Sequence, residues 1–225
     1  MRRSLFLALM LVTTYQASAN ILYNGDALPI AEGWTIVNYP AYEATALALE
    51  SGVLHMTDAS TVAGSAAHYY RDLSVGASEP GVWAEFDVKA VSSSSGSFFG
   101  LERDSTAPYE VALEIGSGVV APFGGGSGAT IVNTDDYHTY RIELESSLYR
   151  VFFDGALTLT GAVAGSGATL GSNLRVHFGL GSSAGTAEFY VDEIRAGGLS
   201  VPAPLSIFLV LSGIMGLGYS QRMRR

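Results

Sequence analysis

Residues 138–160, HTYRIELESSLYRVFFDGALTLT, hold three strand patterns and the two turns between them. In HTYRIELE, Tyr140, Ile142 and Leu144 alternate with Arg141, Glu143 and Glu145. Successive side chains of a strand point to opposite faces, so this segment has one apolar and one charged face. Ser146-Ser147 interrupts the pattern, and LYRVFF runs on to Asp154-Gly155, a pair that readily takes the positive φ angles of a two-residue hairpin. ALTLT then resumes the alternation, which predicts Leu157 and Leu159 inward and Thr158 and Thr160 outward. The stretch reads as an antiparallel meander.

The same period recurs on either side. GVWAEFDVKA puts Val82, Ala84, Phe86 and Val88 on one face and Trp83, Glu85, Asp87 and Lys89 on the other. Further strands are predicted from Val53, Ala67, Ser97, Tyr109, Leu174 and Ala187, and no sustained helical stripe lies between them. The glycine-rich breaks at 116–128 and 161–172 read as loops or edge hairpins. Many short strands separated by turn signals predict an all-β fold, an antiparallel β-sandwich of one domain spanning residues 20–200.

Composition narrows the function classes. All twenty-one acidic residues but only seven of the twelve basic ones lie between residues 20 and 200, which leaves that segment with a net charge of −14. Such a surface repels phosphates, so nucleic acid and anionic lipid are not expected partners. The chain has no cysteine, which excludes disulfides and thiolate metal sites. Asn24, Asn38, Asn133 and Asn173 are each followed by the wrong residue for glycosylation.

Both ends are apolar and basic. Arg2-Arg3, a short greasy core and Ala17-Ser18-Ala19 form a secretory signal peptide over residues 1–19, with cleavage expected after Ala19. At the other end, Val201-Pro202-Ala203-Pro204 leads into an apolar run from Leu205 to Tyr219 and then to Arg222, Arg224 and Arg225. Such an order predicts a membrane helix with a positive-inside stop. A signal helix and a C-terminal hydrophobic helix therefore flank the predicted sandwich.

Two resemblances follow from these residues. GWTI around Trp34, the GVLHMTD strand, the YHTYRIEL…YRVFFDG meander and the closing FYVDEIRA together resemble the concanavalin A-like, or laminin G-like, jelly-roll superfamily. The tail of residues 201–225 resembles the PEP-CTERM sorting signals of Gram-negative bacteria that make exopolysaccharide, with Ala203 where the signature has glutamate. That second likeness implies an exosortase-type membrane protease as partner. It also implies an exported protein, held at the membrane through its tail and then delivered to the cell surface or matrix.

Chemistry is less legible than sorting. Glycoside hydrolases of family 16 in the jelly-roll superfamily carry Glu-x-Asp-x-(x)-Glu on one strand, since a retaining mechanism needs two carboxyl groups about 5–5.5 Å apart. Here Glu85-Phe86-Asp87-Val88-Lys89-Ala90 supplies two acids and lacks the third. The broken motif predicts no catalytic residues. His55, His68, His138 and His177 fall in four separate strands without zinc-like spacing and read as core-edge or surface imidazoles. The Gly124-Gly125-Gly126-Ser127-Gly128 run lacks the lysine and helix of a phosphate loop.

No cofactor is expected, and the metal that the residue types suit is Ca²⁺, at Asp135 and Asp136. For carbohydrate, exposed rings would stack on sugar faces beside polar groups that orient them. Trp83 with Glu85 and Asp87 is the first candidate set, followed by Tyr70, and by Tyr109 near Arg103. The expectation from sequence is an exported, non-catalytic surface protein that binds a polysaccharide or a surface protein. Its rival is a polysaccharide-active hydrolase, and a purely structural matrix role stands behind both.

Overall fold

A computed structural model of the protein describes residues 19–38, 45–59, 67–76, 79–93, 97–103, 109–116, 118–122, 128–131, 136–146, 148–163, 173–180 and 186–199. Ala17–Leu199 form one compact unit. The cleavage site around Ala17, the tail of residues 201–225 and both predicted terminal helices lie outside the described residues. Among the described residues no helix is long and apolar enough to cross a membrane.

Two antiparallel sheets face each other. One runs β13 (Ala156–Ala162), β12 (Leu148–Phe153), β11 (His138–Glu145), β6 (Gly81–Ser93), β15 (Ala187–Leu199), β4 (Val53–Asp58) and β3 (Thr45–Glu50), with β1 (Asn20–Tyr23) also paired to β15 as its eighth strand. The other has seven strands, in the order β10 (Ala129–Thr130), β9 (Val119–Pro122), β8 (Tyr109–Gly116), β7 (Ser97–Arg103), β14 (Asn173–Leu180), β5 (Ala67–Ser74) and β2 (Thr35–Asn38). Neighbours in space are often far apart in sequence: β6 sits between β11 and β15, and β14 between β7 and β5. Long returns of this kind make the sandwich a jelly roll rather than a string of hairpins.

Alternation in sequence becomes the core. Val82, Ala84, Phe86 and Val88 of β6 and Tyr140, Ile142 and Leu144 of β11 are all fully buried, as the period predicts. Phe99 and Leu101 of β7, Leu113 of β8 and Leu174, Val176 and Phe178 of β14 meet them from the opposite sheet. Phe99 packs edge-on to Phe86 at 5.5 Å and to Phe189 at 5.3 Å, so aromatic edges interlock across the sandwich. Ser97 is also buried, and its hydroxyl is satisfied by donating to Ile115 O and accepting from Ile115 N.

The predicted turn forms at Asp154 and Gly155, whose φ angles are 48° and 77°. Phe153 pairs with Ala156 across it. A second two-residue turn at Ser51-Gly52, with φ 58° and 84°, joins β3 to β4.

Bulges reset the alternation, two of them in β13 and in the second half of β15. In β13, Val151 pairs with Leu159 but Phe152 pairs with Leu157, so Thr158 is an extra residue. The predicted inward position of Leu157 is therefore corrected: it shares the outer face with Phe152 and is 57% exposed. In β15, Val191 pairs with Val88 and Glu193 with Asp87, which leaves Asp192 unpaired and exposed. Beyond it Ile194 and Ala196 take the inward role that Phe189 and Val191 hold before it, while Glu193 and Arg195 turn outward.

Candidate functional site

The first predicted site set lies on the outer face of the eight-stranded sheet. The register places Arg195 opposite Glu85 and Glu193 opposite Asp87, with Arg141 opposite Glu85 on the other side. Arg195 Nη2 stands 3.0 Å from both Glu85 Oε1 and Asp87 Oδ2, and Arg141 Nη1 stands 3.7 Å from Glu85 Oε2. Thr139 donates its hydroxyl to Asp87 at 2.6 Å. Both acids are thus already engaged by cations or hydroxyls.

Trp83 lies on the same strand in the neighbouring row, between Glu143 and Gly197, and is only 3% exposed. The Arg141 guanidinium covers its ring at 4.2 Å, and its Nε1 donates to Gly198 O at 3.2 Å. The expectation of a ring open for stacking on sugar is corrected: cation–π cover and a satisfied N–H make Trp83 a packing residue.

The remaining predicted residues scatter. Arg103 lies on the inward face of β7, 1% exposed, with a guanidinium nitrogen donating to Glu79 O at 3.2 Å. It holds the chain before β6 and is corrected from ligand contact to internal clamp. Tyr109 opens β8 opposite Arg103 in the register, and its side chain lies outside the described residues. Asp135 also lies outside them; Asp136 is exposed, and its Oδ1 accepts from Tyr137 N at 2.8 Å. Among the described residues no group of three or more potential ligands is placed to hold a metal ion.

Tyr70 points elsewhere, onto the outer face of the seven-stranded sheet, where three rows meet. One row runs Thr35, Tyr70, His177, Gly100 and Ala112 across β2, β5, β14, β7 and β8. The next, toward one end, runs Asp72, Arg175, Glu102 and Glu110. Toward the other end, His68 pairs with Gly179 and Gly179 with Phe98. The small residues Gly100, Gly179 and Ala112 lower the floor between the rings. A methyl at Gly100 would press on the Phe98 ring at 3.3 Å.

His177 is the centre of this face and is 8% exposed. The rings of Tyr70, Phe98 and His68 surround it at 6.1, 5.9 and 6.1 Å between centroids. Its Nε2 lies 3.3 Å from Glu102 Oε2. A carboxylate can only accept, so Nε2 carries the hydrogen and donates it, and Nδ1 is the other nitrogen of the ring. That Nδ1 is buried without a hydrogen-bond partner among the described residues.

Electrostatics follow from these contacts. The hydrogen bond from His177, helped by Arg175, holds Glu102 below its ordinary value against the opposing effect of burial. Glu102 is therefore the ionised carboxylate of the face. Burial, and then the neighbouring His177, pull His68 down to about 4 and keep it neutral. Arg175 donates to Asp72 at 2.6 Å, approaches Glu102 at 3.5 Å and lies over the Tyr70 ring at 4.9 Å.

Sequence reasoning sought the carboxylate motif on β6 and overlooked β8. There Glu110-Val111-Ala112-Leu113-Glu114 has acids at the first and fifth positions of the motif and alanine in place of the central carboxylate. Val111, Leu113 and Ile115 are buried, so the strand keeps strict alternation and leaves Ala112 and Glu114 facing outward. The spacing was legible; the neighbours across the sheet were not.

No protein-family profile matches the chain, and no curated protein matches it in sequence. Solved structures do match it in fold. A Crh5 transglycosylase in complex with NAG superposes with a TM-score of 0.56 at 18% identity, covering 83% of this chain and 86% of that one. A GlcNAcα1-4Gal-releasing endo-β-galactosidase from Clostridium perfringens gives 0.55 at 14%, over 80% and 61% of the two chains. Alginate lyase A1-II′, of polysaccharide lyase family 7, gives 0.54 at 12%, over 75% and 95%. The expectation of a non-catalytic protein is corrected by this finding: the fold it shares is that of a transglycosylase, a glycosidase and a lyase. At these identities the likeness establishes the fold alone: an all-β, two-sheet antiparallel sandwich of jelly-roll type.

Proposed function

We propose that this protein is a polysaccharide-active enzyme that works on a glycan laid across the outer face of its seven-stranded sheet. The observation that carries the reading is the pair of buried His177 and half-buried Glu102 at the centre of that face, beside Tyr70 and above a floor of small residues. Tyr70, half-buried beside Arg175, is the aromatic ring of this face placed to meet a sugar. Glu102 is the ionised carboxylate, suited to act as base or nucleophile. Cleavage of a glycosidic bond needs a second carboxyl within about 5–9.5 Å of the first. Glu110, opposite Glu102 in the register, is the adjacent-strand position from which it would come.

The test is reducing-end release from a panel of polysaccharides by the purified protein, beside the Glu102→Gln and His177→Ala variants. Release that survives both substitutions would remove this face from the reaction. Ultraviolet absorbance of an unsaturated product separates elimination from hydrolysis.

Sorting completes the proposal. The leader ending at Ala19 exports the chain, and the PEP-CTERM-like tail, from Val201-Pro202-Ala203-Pro204 to Arg222, Arg224 and Arg225, holds it at the membrane for an exosortase-type protease before release to the cell surface. Mass spectrometry of the extracellular protein checks this. A mature chain still ending in Arg225 would contradict processing.

A further inference from the structure

We infer that the glycan taken by this face is uncharged, built of hydroxyl-bearing sugars without uronate or sulfate groups; the inference rests on the functional reading above. It comes from where the cations are. Between residues 20 and 200 the chain has seven, namely Arg71, Lys89, Arg103, Arg141, Arg150, Arg175 and Arg195. All seven lie within strands described above, so no loop of that segment adds another. Arg71 and Arg103 turn inward and donate to the backbone carbonyls of Leu22, Glu32 and Glu79. Lys89, Arg141, Arg150 and Arg195 belong to β6, β11, β12 and β15 of the other sheet.

Arg175 alone remains for the seven-stranded face, and it is already neutralised. Its Nε donates to Asp72 at 2.6 Å and its Nη1 stands 3.5 Å from Glu102. An incoming carboxylate or sulfate would meet Asp72, ionised Glu102 and the outward Glu114 with no cation free to pair. Like charges at such range repel, and a domain of net charge −14 adds to the repulsion at longer distance. The groups that are available instead suit hydroxyls. The Tyr70 ring and the exposed Thr35 opposite it stack on, donate to or accept from neutral sugars.

Matched polymers test this with the intact protein: hydroxyethyl against carboxymethyl cellulose, agarose against carrageenan, and mixed-linkage β-glucan against its carboxymethylated form. Affinity electrophoresis reads binding, and reducing-end release reads turnover. For the backbone that is recognised, the neutral form should bind at least roughly tenfold more tightly than its anionic partner, and high salt should leave neutral binding unchanged. Asp72→Asn frees Arg175 and should narrow that gap severalfold. Preferential binding or cleavage of a carboxylated or sulfated polymer overturns the inference and leaves the enzymatic reading standing. No binding and no cleavage of any polymer overturns both.

Discussion

Nε2 of His177 and Oε2 of Glu102 are 3.3 Å apart, joined across two strands that lie 75 residues apart in the chain. The imidazole donates and the carboxylate accepts, and this bond holds Glu102 below its ordinary value. Glu102→Gln keeps the shape and can still accept a hydrogen bond through its amide oxygen, but it has no charge. Turnover on the polymer that scores should fall by about 10²-fold or more while the melting temperature changes little. A variant that turns over normally would mean that Glu102 is only structural.

Acid should loosen the same face. His68 is ordinarily protonated near 6.5 when unfolded and only at about 4 when folded, chiefly because it is buried. The folded state therefore binds fewer protons between these values. Its stability is full above about 6.5 and is lost as pH falls toward about 4. The depressed Glu102 adds a loss of the same sign lower down, through the carboxylate range. Thermal melting against pH should show this slope, and His68→Gln should flatten its upper part.

Gly25 makes a sharper structural prediction. Its φ is 73°, and a methyl there would run into the carbonyl of Gly52, in the turn between β3 and β4. Gly33 has φ 87° with open space around it. Gly33→Ala should cost about 1 kcal/mol from backbone conformation alone, and Gly25→Ala clearly more, about 2 kcal/mol or above, because backbone must move. Equal costs in denaturant melts would contradict the close approach.

Burial and bulge can be weighed together. Phe178 is fully buried, edge-on to Trp34 at 4.8 Å and stacked on Tyr69 at 5.5 Å. Phe178→Ala should cost about 3–5 kcal/mol. Leu157, turned outward by the extra residue Thr158, should cost no more than about 0.5 kcal/mol when changed to alanine. A large loss at Leu157 would restore the uninterrupted alternation predicted from its sequence.

Much of the sandwich was legible because half-burial imposes a period of two. Val82 to Val88 and Tyr140 to Leu144 are buried as that period predicts, and Asp154-Gly155 turns as its backbone preference requires. The site was legible only in fragments. Trp83 looked exposed because its neighbours are charged, yet Arg141 from the next strand lies over its ring. Nothing in the local sequence of either residue announces that contact. Arg103 looked available for the same reason, and its place on the inward face of β7 was implied by the alternation of Phe99 and Leu101.

By itself, then, the amino-acid sequence determined the strands, the tight turns, the acidic balance and the small number of cations, since each depends on residue type and near neighbours. Tertiary structure decided which strands lie side by side and where alternation slips. Asp192 and Thr158 are single extra residues whose bulges change the face of everything beyond them. His177, Glu102 and Tyr70 meet because β14 is inserted between β7 and β5. A period of two assigns each residue a face but carries no information about the strand on either side. Chemistry across a sheet depends on that missing coordinate, which the long crossovers of the jelly roll supply.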